Sequence, residues 1–291
     1  MARPPMPVRE TVLLFGPDKS LVGVITDPAP AALVDGRPAV VLLNAGLLHR
    51  VGPNRLYVRL ARRLAERGLL VARFDLSGIG DSRAAGGRSD FAARAIAETR
   101  ACLDLLATTR GASCFVVCGL CSGADQALLA AGEDPRIVGL ALLEPGSAPS
   151  TGQLIDSYRD RLLRPASWAR LLTGRSEAWS TVGQRLRSRW RRWRRHTVET
   201  AGAASAGTDP HSPAERMRRF VGRGGALCLV YSAGNPAHYY YRTALAPRLW
   251  QVPADRLLVE VVEETDHVFT PLDAQRQVID SLCAWAEGLR R

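Results

Sequence analysis

A cysteine lies between two glycines near the middle of the chain, in the stretch Gly119-Leu120-Cys121-Ser122-Gly123. An apolar run precedes this stretch and an alanine- and leucine-rich segment follows it, which predicts a strand, a sharp turn and a helix. The turn would place the Cys121 thiol at the amino end of the helix. The helix dipole and the free N–H groups there favour the thiolate. We therefore expect Cys121 to be a nucleophile.

The neighbouring Ser122 is the alternative nucleophile, because a turn shifted by one residue would bring its hydroxyl to the apex. In that frame Leu120 would stand where a small residue is needed, which favours Cys121. With Cys121 as nucleophile, the backbone N–H of Ser122 is a candidate donor to the oxyanion of an acyl-transfer reaction. The remaining cysteines are typical small buried residues: Cys102, Cys114, Cys118, Cys228 and Cys283.

His267 is the candidate general base. It follows the last predicted strand and an acidic turn, and it comes after Cys121 in the chain. An imidazole can take the proton of a thiol and return it to a leaving group. The adjacent Asp266 is expected to fix its own loop. The other histidines lie in the oxyanion loop described below, in the insertion or in another loop: His49, which could contact substrate, and His196, His211 and His238.

Two residues compete to orient the imidazole of His267. Asn235 follows the predicted strand 226–231, and Glu144 ends the predicted strand 136–143. Papain-like proteases combine cysteine with histidine and asparagine, because a thiolate–imidazolium pair needs the third group only for orientation. This chemistry favours Asn235, and Glu144 stays open as the alternative.

The elements around these residues alternate between strands and helices. Short apolar runs are typical of strands that are buried on both faces, and they occur at residues 39–43, 69–74, 136–143, 226–231 and 256–262. Helical patterns fall between and after them, at about 55–67, 90–109 and 272–289. This alternation predicts an α/β fold with a mostly parallel, doubly wound sheet. Ligands bind at the carboxyl edge of such a sheet, where the candidate residues fall.

One connection, roughly residues 147–222, is far too long for a simple crossover. We interpret it as a mostly helical cap, inserted into a core formed by residues 1–146 and 223–291. Its segment Arg185–Arg195 is rich in arginine and places Leu186, Trp190 and Trp193 on one helical face. This segment is either a solvated cap helix, a docking site for an acidic acyl-carrier protein or coenzyme A, or an interfacial helix on anionic lipid.

The chain of 291 residues carries a net charge of +11, and almost all of its positive charge is arginine. A GC-rich genome or an acidic partner would explain this balance. No recognised nucleic-acid motif is present, so nucleic acid is not expected as a partner. No apolar run is long enough to cross a bilayer and the start lacks the apolar core of a signal peptide, which predicts a cytoplasmic protein. The cysteine spacing suits neither a disulfide framework nor a zinc site, and no metal or cofactor is expected.

The pattern as a whole resembles the α/β-hydrolase superfamily from about residue 20 to the end. The stretch 119–123 matches its nucleophile elbow, and residues 73–82 are similar to its strand-4 signature. The resemblance also implies that His267 is the family's histidine. The loop 44–50 takes the oxyanion position, so Gly46 or Leu47 would supply the second N–H. More narrowly, the chain is similar to serine-aminopeptidase-like hydrolases that include the exosortase-associated group.

These residues together predict an acyl-transfer enzyme that forms an acyl-cysteine on a small-molecule ester or thioester. Hydrolysis by a thioesterase or esterase is the first expectation, and transfer to an alcohol or amine by an acyltransferase is the second. A third interpretation is a non-catalytic binding protein on the same fold, because Asn235 stands where the family usually has an acid.

Overall fold

The computed structural model describes residues 8–28, 36–85, 90–146, 212–233, 238, 241–249 and 252–289. These residues form eight strands: β1 Arg9–Phe15, β2 Leu21–Asp27, β3 Ala39–Leu43, β4 Val71–Phe74, β5 Phe115–Leu120, β6 Ile137–Leu143, β7 Ala226–Ser232 and β8 Leu257–Val262. The α-helices of the same ranges are α1 Leu56–Glu66, α2 Phe91–Arg110, α3 Ser122–Glu133, α4 Pro213–Gly222, α5 Ala246–Leu249 and α6 Leu272–Gly288. Short 3-10 helices lie at Pro17–Lys19 and Pro53–Arg55, and a π-helix at Tyr241–Leu245 precedes α5.

All eight strands belong to one sheet with the order β1-β2-β4-β3-β5-β6-β7-β8. β1 and β2 form an antiparallel hairpin, and β2 also pairs antiparallel with β4. The other pairings are parallel. The mostly parallel α/β-hydrolase sheet expected from the sequence is confirmed.

Two helical layers cover the two faces of the sheet. Side chains of α2, α3 and α4 pack on one face in one core cluster, and side chains of α1 and α6 pack on the other face in a second cluster. Every residue of β3, β5 and β7 is buried, because helices cover both sides of these central strands. Continuous apolar runs in the sequence therefore correspond to the middle of the sheet.

The chain divides into two compact units, Met1–Ala148 with His211–Arg291 and Pro149–Pro210. α4 lies in the larger unit and contributes the buried Met217 and Phe220 to its core, whereas the sequence-based boundary assigned this segment to the insertion. The structure describes residues 212–222 of the proposed cap 147–222. The rest of the cap lies outside the described residues, and so does its basic segment Arg185–Arg195. Within the described ranges, no helix has the length and apolar character needed to cross a membrane.

Candidate active site

The turn between β5 and α3 has its apex at Cys121. The backbone of Cys121 adopts φ 56° and ψ −120°, in the positive-φ region that residues with side chains rarely occupy. A Cβ on Gly119 would come within 2.2 Å of the Gly123 backbone, and a Cβ on Gly123 would come within 2.4 Å of the Asn44 carbonyl oxygen. The two glycines are therefore required by the close contact of strand, helix and neighbouring loop.

The side chains of Cys121 and Ser122 occupy different environments. Cys121 is partly exposed at the turn, whereas Ser122 is the first residue of α3 and is only 1% exposed. The Ser122 hydroxyl accepts a hydrogen bond of 3.1 Å from the backbone N–H of Gly46. Thus the thiol lies at the apex of the turn and the hydroxyl faces the loop that follows β3.

None of the six cysteines forms a disulfide, and five of them are buried. Burial raises the pKa of the Cys102, Cys118 and Cys283 thiols to about 12. It also raises the pKa of Cys228 well above its usual value. Cys121 is the accessible thiol of the molecule.

The loop after β3 approaches the elbow through a tight turn. Gly46 has φ +61°, and the N–H of Leu48 donates to the carbonyl of Ala45 at 3.1 Å. Within the described ranges, the backbone N–H groups of Leu47 and Ser122 donate to no acceptor. The turn thus brings Gly46 against Ser122, and the N–H of Gly46 is bonded to the Ser122 hydroxyl.

Asn44 and Asp75 anchor this loop to the end of β4. The amide of Asn44 donates to the Leu48 carbonyl at 2.8 Å and to the Asp75 carboxylate at 3.0 Å. Its oxygen accepts the N–H of Leu76 at 2.8 Å. Asp75 is fully buried and also accepts the N–H of Arg50 at 2.6 Å. The strand-4 turn predicted from the sequence therefore supports the loop beside the elbow.

The Arg50 guanidinium completes this support. It lies 2.5 Å from the Asp75 carboxylate and 2.8 Å from that of Asp81, and His49 Nε2 lies 3.1 Å from Asp81. His49, Asp75 and Asp81 form the one His/Cys/Asp/Glu group among the described residues whose ligand atoms are close enough for a metal, within 4.8 Å of one another. Arg50 supplies a positive charge to the two carboxylates of this group.

The carboxyl ends of the central strands meet at one edge of the sheet. Backbone hydrogen bonds continue beyond the strands: Cys121 N–H donates to the Leu143 carbonyl at 2.9 Å, Glu144 N–H to Val230 at 2.8 Å and Ala233 N–H to Val262 at 2.9 Å. The segments that carry Cys121, Glu144 and His267 therefore leave the sheet at the same edge.

Glu144 is a buried carboxylate at this edge. It is 0% exposed and has a positive φ of 52°. Its Oε1 accepts hydrogen bonds from the N–H of Ser232 at 2.6 Å and from the Ser232 hydroxyl at 2.5 Å. The carboxylate thus bridges the ends of β6 and β7. Asn235, the competing candidate, lies outside the described residues.

His267 is exposed in the loop between β8 and α6. Its imidazole makes no hydrogen bond with any residue in the described part of the chain. The adjacent Asp266 accepts the N–H and the hydroxyl of Thr270, both at 2.8 Å. Burial raises the pKa of Asp266, but these hydrogen bonds outweigh burial and lower it below its usual value. Asp266 therefore fixes its loop.

Two further residues near the elbow were not singled out from the sequence. The buried Tyr57 of α1 accepts the N–H of Leu120 at 3.0 Å through its hydroxyl oxygen. Asp125, in the first turn of α3, accepts the N–H of Gly146 at 3.4 Å, and burial raises its pKa to about 6. A single tyrosine in a helix and a single aspartate carry no sequence signal for these distant contacts.

Solved structures of other hydrolases share this architecture. The esterase domain of a Rhodothermus marinus protein is 18% identical, with a TM-score of 0.52 over 97% of this chain and 98% of the other. A dienelactone hydrolase from Anabaena variabilis is 12% identical, with a TM-score of 0.55 over 98% and 99%. An α/β serine hydrolase homologue from Coxiella burnetii is 14% identical, with a TM-score of 0.52 over 94% and 97%. At these identities the similarity shows the fold.

No curated protein matches the chain significantly. The family model described as "Serine aminopeptidase, S33" matches residues 37–203, which is more than half of the chain. The matched segment includes the loop after β3, the strand-4 turn and the elbow. The chain therefore belongs to this serine aminopeptidase family of α/β-hydrolases, and it is a hydrolase.

Proposed function

We propose that the chain is a thioesterase or esterase that forms an acyl-cysteine on Cys121. The observation that carries this proposal is the backbone of Cys121, which places the accessible thiol at the apex of the turn with φ 56°. Ser122 is buried one residue further on, with its hydroxyl bonded to Gly46. The family and one of the structural neighbours described above carry serine in their names, so a cysteine nucleophile would depart from the chemistry that those names describe.

The proposed reaction has two steps. His267 takes the thiol proton, the thiolate attacks the carbonyl carbon, and the leaving alkoxide or thiolate departs with the proton from the imidazolium. Water then gives a proton to His267 and attacks the acyl-cysteine, and the Cys121 thiolate leaves as the carboxylic acid forms. The backbone N–H of Ser122 and that of Gly46 or Leu47 stabilise the oxyanion in both steps.

Asn235 or Glu144 is proposed to orient the imidazole. The position of Glu144 at the sheet edge supports it as a candidate, but Ser232 already occupies one of its oxygens. Asn235 is supported by cysteine–histidine–asparagine chemistry. Asn235→Ala and Glu144→Ala separate the two, because the variant that lacks the orienting group would lose turnover by about 10²- to 10⁴-fold.

Intact-protein mass spectrometry after incubation with a panel of acyl-thioesters and activated esters tests the proposal. An acyl adduct should appear on the wild type and be absent from Cys121→Ala. Ser122→Ala is the comparison variant: it removes the neighbouring hydroxyl and leaves the thiol, so the acyl adduct should still form on it. If Cys121→Ala keeps its turnover and Ser122→Ala loses it, the nucleophile is the serine and the proposal is wrong.

Acyl transfer is the second candidate. The net charge of +11 suits an acidic acyl-carrier protein or coenzyme A as acyl donor, and such a donor can serve transfer as well as hydrolysis. In this reaction an alcohol or amine replaces water in the second step. Product analysis with hydroxylic and amine acceptors distinguishes the two. A transferred acyl group that exceeds the hydrolysed fraction at millimolar acceptor supports an acyltransferase, and a product that is only the free acid supports a hydrolase.

A further inference from the structure

The hydroxyl of Ser122 has no part in the proposed reaction, yet it makes a specific long-range contact. It accepts the N–H of Gly46 at 3.1 Å, and the two residues are 76 positions apart in the chain. Ser122 is 1% exposed and Gly46 is half-buried, so this hydrogen bond is partly buried. A Cβ on Gly46 would lie 4.0 Å from the same oxygen. The loop after β3 therefore lies directly against the residue that follows the nucleophile.

The two sides of this loop are held differently. On the side of β4, the Asn44 side chain and the Asp75 carboxylate fix its start and its end. On the side of the elbow, the Ser122 hydroxyl holds the peptide N–H of Gly46, within the turn closed by Leu48 N–H and the Ala45 carbonyl. Losing that bond would free the middle of the turn and leave its ends attached.

The hydrogen bond also decides which N–H groups are available to substrate. The N–H of Gly46 is committed to the Ser122 oxygen. The next N–H in the turn, that of Leu47, has no acceptor within the described ranges, and neither has the backbone N–H of Ser122. An oxyanion hole needs donors that are preorganised and not already bonded.

We infer that the Ser122 hydroxyl is a positioning group that locks the Gly46 peptide, so that the oxyanion donors are the N–H groups of Leu47 and Ser122. This inference rests on the proposed acyl-cysteine reaction. It explains why a serine stands directly after the cysteine, since the hydroxyl there aligns the loop and takes no part in attack. An alanine at this position would keep the backbone donor and lose the alignment.

The experiment compares Ser122→Ala with Thr109→Ala, a control that removes an exposed hydroxyl bonded only within α2. Two rates are measured for each variant: turnover of an acyl-thioester and alkylation of Cys121 by iodoacetamide. Alkylation forms no oxyanion, so it reports the thiol alone. For Ser122→Ala we expect kcat to fall about 10- to 100-fold with KM and the alkylation rate within about two-fold of wild type. Thr109→Ala should match the wild type in both.

Several results would overturn the inference. An unchanged or increased kcat in Ser122→Ala would show that the hydroxyl does not align the loop. An alkylation rate that falls as much as kcat would show that it acts on the thiol. Ser122→Gly removes the same hydroxyl and serves if the alanine variant does not fold. Loss of turnover in Cys121→Ala with full turnover in Ser122→Ala refutes this inference alone, whereas retained turnover in Cys121→Ala refutes the proposed function.

Discussion

At the residue scale, the backbone conformation of Cys121 costs folding stability at the position where the proposed reaction needs a thiol. A residue with a side chain in such a sparsely populated conformation costs about 1–3 kcal/mol, and glycine relieves that cost. We expect Cys121→Gly to abolish turnover and to raise the free energy of unfolding by about 1 kcal/mol, after its greater loss of chain entropy. Urea unfolding of Cys121→Gly and Cys121→Ala checks this, because the alanine variant lacks the thiol and keeps the strained backbone. A glycine variant less stable than the alanine variant would contradict it.

Asp125 predicts a pH dependence of stability at the same scale. Burial raises its pKa from 3.8 to about 6, and the Gly146 N–H opposes the shift. Between these values the unfolded chain has lost the proton that the folded chain keeps, so the contribution of Asp125 to stability falls as the pH rises from about 4 to about 6. The free energy of unfolding of Asp125→Asn, measured relative to the wild type, should therefore be about 1–3 kcal/mol higher at pH 7.5 than at pH 4.5. Denaturant unfolding at the two pH values measures the difference, and an equal effect at both would refute it.

At the scale of elements, β5 and α3 are in such close contact that a glycine between them does not tolerate a side chain, whereas a glycine further along α3 does. Gly119→Ala would push a Cβ to 2.2 Å from the Gly123 backbone, whereas a Cβ on Gly132, in the same helix as Gly123, meets nothing within 4 Å. We expect Gly119→Ala to lower the free energy of unfolding by about 3 kcal/mol or more. Gly132→Ala should raise it by up to about 1 kcal/mol, because alanine favours the helix. Thermal unfolding compares the two, and similar melting temperatures would count against so close a contact between strand and helix.

The sequence predicts these elements well and their distant contacts poorly. Buried strands such as β3 and β5 appear as apolar runs, and the glycines around Cys121 mark the turn, because both patterns are local. The bond between Tyr57 and Leu120 and the one between Ser122 and Gly46 join residues far apart in the chain. Such contacts depend on how helices and loops meet after folding, which no local pattern encodes.

In the candidate site, too, local features were predictable from the sequence and distant contacts were not. The glycine spacing located the turn at Cys121, and the family resemblance pointed to the loop containing Gly46 and Leu47; the structure brings Gly46 of that loop against Ser122. The pairing of Glu144 with Ser232 was not predictable, because it requires the register of β6 and β7. The sequence did not show whether helix α4 belongs to the core or to the insertion, because its short amphipathic pattern follows a long insertion and does not reveal whether it packs on the sheet.

At the scale of the whole molecule, the net charge of +11 should control encounter with acidic partners. We expect binding to an acidic acyl-carrier protein to weaken steadily as salt rises, because the screening length falls from about 10 Å at 0.1 M to about 3 Å at 1 M. Replacing Arg191 and Arg194 by glutamine should weaken binding about 2- to 10-fold more than replacing the exposed Arg9 and Arg276.

Titration calorimetry over a salt series measures this affinity. Equal losses in the two double variants would assign the attraction to overall charge and refute a docking role for the segment Arg185–Arg195. Binding that does not respond to salt would refute an electrostatic contribution altogether.

The burial of the thiols determines how the protein would react with an oxidant such as peroxide. Five cysteines are buried and Cys121 alone is accessible, so peroxide would meet the Cys121 sulfur first. A sulfenic acid formed there would find no second accessible thiol in the molecule to trap it as a disulfide. With further peroxide and no external reductant, oxidation would proceed to the sulfinic acid, and an enzyme that works by the proposed acyl-cysteine mechanism would lose its activity irreversibly.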